Sequence, residues 1–233
     1  NLDDVNDQLV DLVFGEEYAL AVSRLGRVFA WGLNSMGQLG NDSITNQNSP
    51  VEISANLAFN QGEVVVKLVT GVHHTALLTN ENRLFTWGSG AYGQLGSGKN
   101  AIITKPVEVG SNLGLEQGEE ILDLALGENH SLILTSQGRV LTFGGNNYGQ
   151  LGKGDFIDSL AIVDITSSFN LASGEKIVKL AAGKNNQYAI SSKARVFAWG
   201  RNVYGELGLK FEQNIHTPME IRDFHENEIM GIA

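Results

Sequence analysis

The chain has five histidines and no cysteine, so any metal or nucleophile chemistry must rest on imidazole, carboxylate and hydroxyl groups. His73 and His74 are adjacent, and neighbouring side chains on a strand point to opposite faces, so the two cannot chelate one ion. His74 and His130 share a phase 56 residues apart and can form a metal or acid/base pair. The repeat in which they sit favours another role, an imidazole bonded to backbone that staples a turn. Gly88-Ser89-Gly90-Ala91-Tyr92-Gly93 spells G-x-G-x-x-G, with Glu108 twenty residues beyond Gly88. A dinucleotide site needs a helix after that turn, and Gln94-Leu95-Gly96-Ser97-Gly98 does not start one. Asp42 and Asp155 follow a glycine turn and read as Asx-type caps of their loops rather than cation ligands. Asn41-Asp42-Ser43 and Asn129-His130-Ser131 fit the glycosylation sequon, but the second falls in a tight turn, and neither is taken as a modification site. No P-loop, G-x-S-x-G or H-E-x-x-H occurs. The expectation is no catalytic residue, no cofactor and no metal.

The elements that carry these residues repeat. Trp31 to Gly40 (WGLNSMGQLG) returns as WGSGAYGQLG at Trp87, FGGNNYGQLG at Phe143 and WGRNVYGELG at Trp199, always 56 residues on. Four in-phase copies define a repeat architecture, which outranks any local reading. In the third copy, Ile121 to Leu126, Ser131 to Thr135, Arg139 to Phe143 and Ala161 to Ile165 read as four strands separated by turns. Four antiparallel strands per unit match one propeller blade. The fold expected is therefore all-β, with four 56-residue blades in one repeat domain. The units run from about 9–64, 64–120, 121–176 and 177–233. The fourth strands are expected near Val51 to Ile53, Val107 to Val109 and Met219 to Ile221. Pro50, Pro106 and Pro218 would open these outer strands, where no ladder donor is needed. Trp31, Trp87, Phe143 and Trp199 are expected to fill the wedges between blades, with Gly37, Gly40 and their equivalents bracketing a Gln/Glu-Leu pair that reaches the next blade. An insertion follows the first three units (Asn56 to Glu63, Asn112 to Glu119, Asn170 to Glu175). Its remnants are read at Asn1-Leu2 and Asn227-Glu228-Ile229.

Acidic residues outnumber basic ones, 26 to 16, for a formal charge of −10. No Lys/Arg cluster offers the phosphate contacts that nucleic-acid binders rely on, so direct nucleic-acid binding is not expected. No apolar run is long enough to span a bilayer. The start, Asn1-Leu2-Asp3-Asp4, reads neither as a signal peptide nor as a natural initiator, so the chain is expected to be processed or excised from something longer. The compartment stays open between cytoplasmic and exported.

The pattern G-x-x-H-[ST], an apolar strand, then R-[VL]-x-x-[WF]-G-x-N-x-x-G-Q-L-G resembles the repeats of the regulator of chromosome condensation family. The resemblance implies a seven-bladed β-propeller of which these four units form part. It also implies a choice of functions, since members include a Ran nucleotide exchange factor, a plant UV-B photoreceptor, a β-lactamase inhibitory protein and bacterial effectors that engage small GTPases. The sequence departs from the family pattern at the histidine, which is Tyr18 in the first unit and Asn186 in the fourth. The photoreceptor's Gly-Trp-Arg-His-Thr stretches are absent, so that chemistry is set aside.

Where the copies stop agreeing, after each G-[QE]-L-G turn, the loops vary. Two expose aromatics beside charges: Asp155, Phe156 and Asp158, and Lys210, Phe211 and Glu212. These six are the candidate protein-binding residues, either as anchors with a charged rim or as aromatics tucked under their loops. The function expected is a non-enzymatic protein–protein interaction scaffold with a small GTPase as the first partner to test. The alternatives are guanine nucleotide exchange on a Ran- or Rab-like GTPase, which needs no catalytic residue in the chain, and a secreted inhibitor or adhesin-like propeller. Four blades shaped for a larger ring leave unpaired faces at both ends. The chain is therefore expected to be part of a longer propeller or to associate with another copy through its open ends.

Overall fold

The computed structural model describes residues 7–222, so the insertion remnants read at Asn1-Leu2 and Asn227-Glu228-Ile229 lie outside the described residues. The structure is all-β, built as four antiparallel four-stranded sheets. Blade 1 holds β1 (Leu9–Phe14), β2 (Tyr18–Ser23), β3 (Val28–Gly32) and β4 (Gln47–Glu52). Blade 2 holds β5 (Val65–Thr70), β6 (His74–Thr79), β7 (Leu84–Gly88) and β8 (Ile103–Glu108). Blade 3 holds β9 (Ile121–Leu126), β10 (His130–Thr135), β11 (Val140–Gly144) and β12 (Ser159–Asp164), and blade 4 holds β13 (Ile177–Ala182), β14 (Asn186–Ser191), β15 (Val196–Gly200) and β16 (Ile215–Ile221). Each sheet is a meander in chain order. The first strands touch one another in succession around the axis, so the fourth strands lie outermost. The second strands β2, β6 and β10 are buried at every position, which is why they read as apolar runs rather than as alternation.

The outer strands begin earlier than the sequence suggests. Gly32 pairs Gln47 and Ala30 pairs Val51, with a register shift between them. Pro50 lies in that bulged stretch instead of opening the strand, as do Pro106 between Ile103 and Val107 and Pro218 between Ile215 and Met219. The bulge removes the need for a ladder N–H, so proline is tolerated inside the strand. The 3-10 turns at Ser54–Asn56, Gly110–Leu113 and Thr166–Phe169 lead into the insertions and place Leu57, Leu113 and Phe169 in the seams between blades. Phe169 meets Phe197 and Trp199 edge-on at 5.2 and 5.5 Å, a burial that contributes roughly 2–3 kcal/mol.

The W-G…G-Q-L-G motif makes the seams. Trp87 Nε1 donates to Gln38 O at 2.9 Å, and Trp199 Nε1 donates to Gln150 O at 3.0 Å, each from the following blade. Phe143 fills the same wedge without a donor. Gly40 has φ of +72°, and a Cβ there would lie 2.8 Å from Trp87 Nε1, so only glycine fits. The ends differ. Among the described residues Trp31 has no preceding blade and is only partly buried, and none of them packs over Gly205 or Gly208. Leu9, Val10, Leu12 and Phe14 of β1 are exposed. The four blades form an arc that is part of a propeller.

Candidate protein-binding rim

By the antiparallel order of each blade, the β3–β4-type loops and the turns between the first and second strands lie at one end of the arc. This end carries the candidate residues. Three of the four variable loops are held from below by a buried asparagine; blade 2 has Gly90 at that phase. Asn146, wholly buried, donates from Nδ2 to Asp155 O, Asp155 Oδ1 and Ile157 O at 2.9, 3.1 and 3.1 Å, and its Oδ1 accepts the Leu151 N–H at 2.9 Å. Its own N–H donates to Asp158 Oδ1 at 2.7 Å. Asn34 holds Ser43 O and Thr45 O in the first blade, and Asn202 Nδ2 reaches Phe211 O at 2.6 Å in the fourth. Loops of unlike sequence are thus fixed on one frame.

Asp155 and Asp158 are therefore loop formers. Asp155 Oδ1 also accepts the Ile157 N–H at 2.9 Å, the Asx geometry expected of it, and pairs with Lys153. The Lys153 hydrogen bond comes first among the causes that hold its carboxyl below the ordinary value. Asp42 departs from the expectation. It takes no cap role but reaches blade 2, pairing Lys105 at 3.0 Å, with Thr104 Oγ1 3.4 Å from its carboxylate. Phe156 is 44% exposed with its edge against His216 of the next blade at 5.1 Å, so it is neither fully free nor tucked into a core. Phe211 is 39% exposed and lines a cleft of about 410 Å³ with Leu209, Met219 and Ile221 at the open face of blade 4. Lys210 and Glu212 flank it, both exposed. The two trios stand on neighbouring blades at nearly the same phase.

The histidines occupy the seams. His73 lies in the turn and the strand begins at His74, so the two do not share a strand. His74 joins blade 2 to blade 3: its Nε2 meets Ser131 Oγ at 3.0 Å, with the His130 backbone as a further hydrogen-bond partner of the ring. Ser131 gives its own proton to Gln94 O at 2.8 Å, so His74 is the Nε2–H tautomer. In the seam before it, Tyr18 OH donates to His74 O at 2.7 Å. In the seam after it, Gln187 stands where Ser131 does, facing His130. Burial, joined by the neighbouring His130, lowers His74 to about 3; burial likewise lowers His130 to about 4. Both imidazoles are neutral and enclosed, which suits packing and not acid/base work.

Two features escaped the sequence reading. Met36, Tyr92, Tyr148 and Tyr204 form an exposed row at one phase of the motif. The signal was their constant position immediately before G-[QE]-L-G. At the opposite end, each blade has an Arg between two carboxylates: Arg27 with Asp7 and Glu52, Arg83 with Glu63 and Glu108, Arg139 with Glu119 and Asp164, and Arg195 with Glu175 and Glu220. The inner carboxylates are buried. Burial raises Glu119, but hydrogen bonds from Thr135, the Glu116 N–H and Arg139 outweigh it and hold the carboxyl below its ordinary value. The signal was the fixed spacing of 20 and 25 residues, repeated four times.

Fold and rim together define a propeller of repeated blades with variable loops on one face. The RCC1-like domain matches residues 2–233, and the chain belongs to that family. It is 28% identical over 226 residues to the ultraviolet-B receptor UVR8 of Arabidopsis thaliana, an alignment covering 97% of this chain and 49% of the receptor. It is 37% identical over 161 residues to the human X-linked retinitis pigmentosa GTPase regulator, covering 69% of this chain and 15% of that protein. Among solved structures, human WBSCR16 superposes with a TM-score of 0.79 at 23% identity, over 94% of this chain and 54% of that one. Prp20p of Saccharomyces cerevisiae, described together with its binding to Gsp1p and histones, superposes at 0.74 and 25% identity, over 92% and 50%. The chain spans about half the length of the receptor and of both solved structures.

Proposed function

We propose that this chain is a protein-interaction scaffold whose rim loops select the partner, with a small GTPase as that partner. The observation that carries the reading is the asparagine clamp: identical buried anchors at Asn34, Asn146 and Asn202 hold loops of unlike sequence in three of the four blades. A rigid frame with variable loops lowers the ordering cost of binding and leaves specificity to the loop side chains. Phe156 and Phe211 supply half-exposed aromatic surface beside Asp158, Lys210 and Glu212, the composition of an interface hot spot. The GTPase regulator among the relatives supports the choice of partner. The test is binding of the purified chain to a panel of small GTPases, repeated with Phe156→Ala and Phe211→Ala. Binding to one or a few members, weakened roughly tenfold or more by either change, supports the reading. Equal binding by the wild type and both variants refutes the rim, and no binding across the panel refutes the partner class.

A second reading, nucleotide exchange, is favoured by that same relative's name and by Prp20p. It requires no catalytic residue here, because exchange proceeds by deforming the nucleotide site of the GTPase. Release of a fluorescent GDP, followed over the same panel, tests it directly; unchanged release rates dismiss it.

A further inference from the structure

We propose that the gap between Tyr92 and Tyr148 is a slot for an arginine side chain carried on a basic segment of a protein partner. This deepens the scaffold reading and rests on it, but uses residues other than the two loop trios.

The next gap along the row shows the occupant. Arg201 places its guanidinium 5.8 Å from the centroid of the Tyr148 ring and 5.0 Å from that of Tyr204, and its Nη1 lies 2.8 Å from Glu206 Oε1. A guanidinium between successive tyrosines is thus an arrangement this scaffold already supports. One blade earlier, the residue at the phase of Arg201 is Gly145. The backbone is held the same way in both blades: Gly145 N–H donates to Asn129 O at 2.6 Å, as Arg201 N–H donates to Asn185 O at 2.8 Å. Glycine therefore adds no side chain of its own between Tyr92 and Tyr148. A Cβ there would lie 3.2 Å from Asn129 Cβ and 3.5 Å from Tyr92 Cβ, so these two side chains bound the slot at its base. Both rings remain more than a third exposed and accessible from solvent.

The charge favours a cation. Gln150 replaces Glu206 at the equivalent position and spends its Oε1 on the Tyr148 N–H. Glu128, which precedes Asn129, is held by Asn185 Nδ2 at 2.8 Å and already pairs with Lys184 at 3.7 Å, so the attraction for a cation comes from the charge of the chain as a whole. The formal charge of −10 draws basic segments to the surface as a whole. Arginine fits better than lysine because its planar guanidinium stacks on ring faces while presenting hydrogen-bond donors at its edge.

The probe is a capped peptide of alternating arginine and glycine, titrated into the isotope-labelled chain and followed by NMR at the Gly145 amide and the tyrosine rings. Matched lysine–glycine and glutamine–glycine peptides serve as comparisons. The slot predicts saturable shifts at Gly145, Tyr92 and Tyr148 with the arginine peptide, weaker binding by lysine, and none by glutamine. Tyr92→Leu and Tyr148→Leu should each weaken binding roughly two- to fivefold, the scale of an exposed cation–π contact. Gly145→Arg, which copies the Arg201 arrangement, should abolish it. Lysine binding as tightly as arginine, or shifts that persist unchanged in both leucine variants, overturns the slot; the leucine variants decide if Gly145→Arg fails to fold. A slot that fails while a GTPase still binds through Phe156 and Phe211 leaves the scaffold reading standing, and the reverse pattern removes that reading alone.

Discussion

Acid should loosen the seams of this arc before it reaches the carboxylates. His74 and His130 have an ordinary value of 6.5 and are lowered by burial to about 3 and about 4. The unfolded chain therefore takes up two protons that the folded chain refuses, and stability falls as pH drops below 6.5. Between pH 7.5 and 5 each imidazole costs about 2 kcal/mol, at 1.36 kcal/mol per unit over roughly one and a half units. The pair together costs about 4 kcal/mol, a large fraction of typical domain stability. Glu63, Glu119 and Glu175 act in the other window. Their folded values lie below 4.5, so the stability they contribute is present above that value and is lost as pH falls through the lowered one. The groups facing the imidazoles are His73 and His130 around His74, and Glu128 and Gln187 around His130. Urea unfolding followed by tryptophan fluorescence at pH 7.5 and 5.0 measures the difference. His74→Asn and His130→Asn copy the residue that blade 4 has at this phase, Asn186. Each should remove about half of the pH dependence and the double variant nearly all of it. A double variant that keeps the full loss between pH 7.5 and 5 would refute the assignment.

Asn146→Ala should release the 153–158 loop, leave Asp155 O and Ile157 O without their donor, and cost about 2–3 kcal/mol; faster amide exchange confined to that loop would confirm it. Trp87→Phe keeps the wedge filled, as Phe143 does, and loses one bond to Gln38 O, so a loss of about 1 kcal/mol by denaturant titration is expected, and a loss above about 3 would contradict it. Arg139→Ala strands the buried Glu119 carboxylate. Because the arginine is about a quarter exposed, the cost should fall near 2–3 kcal/mol, below that of a fully buried pair. Arg139→Lys should recover only part of it, since one ammonium cannot span both Glu119 and Asp164.

Much of this architecture is legible because the sequence states it four times. Strand order and the wedge role of Trp87, Phe143 and Trp199 follow from phase alone, whereas the close approach of Gly40 to the Trp87 ring does not. Other features need the third dimension. The bulge that admits Pro50 depends on how Gly32 pairs with Gln47, and strand alternation does not reveal it. His74 looked like a turn staple because its partner, Ser131, lies a full blade away. Asp42 and Asp155 follow the same turn, yet one crosses to Lys105 and the other caps its own loop. Of the six candidate residues, Asp155 and Asp158 turned out to be tied to the clamp; the variability that singled them out does not separate residues that shape a loop from residues that face a partner.

The bond from each wedge tryptophan to the preceding glutamine carbonyl also gives the arc a direction. In the seams one flank offers a Gln carbonyl and glycine surface and the other the ring that lies on it; in blade 4 the equivalent carbonyl, Glu206 O, accepts from Tyr188 OH instead. Two identical flanks cannot satisfy each other, so a unit added at either end must join head to tail. Such growth keeps every variable loop on the same face, whether the next blade comes from this polypeptide or from another. The outcome is then a closed ring or an open helix.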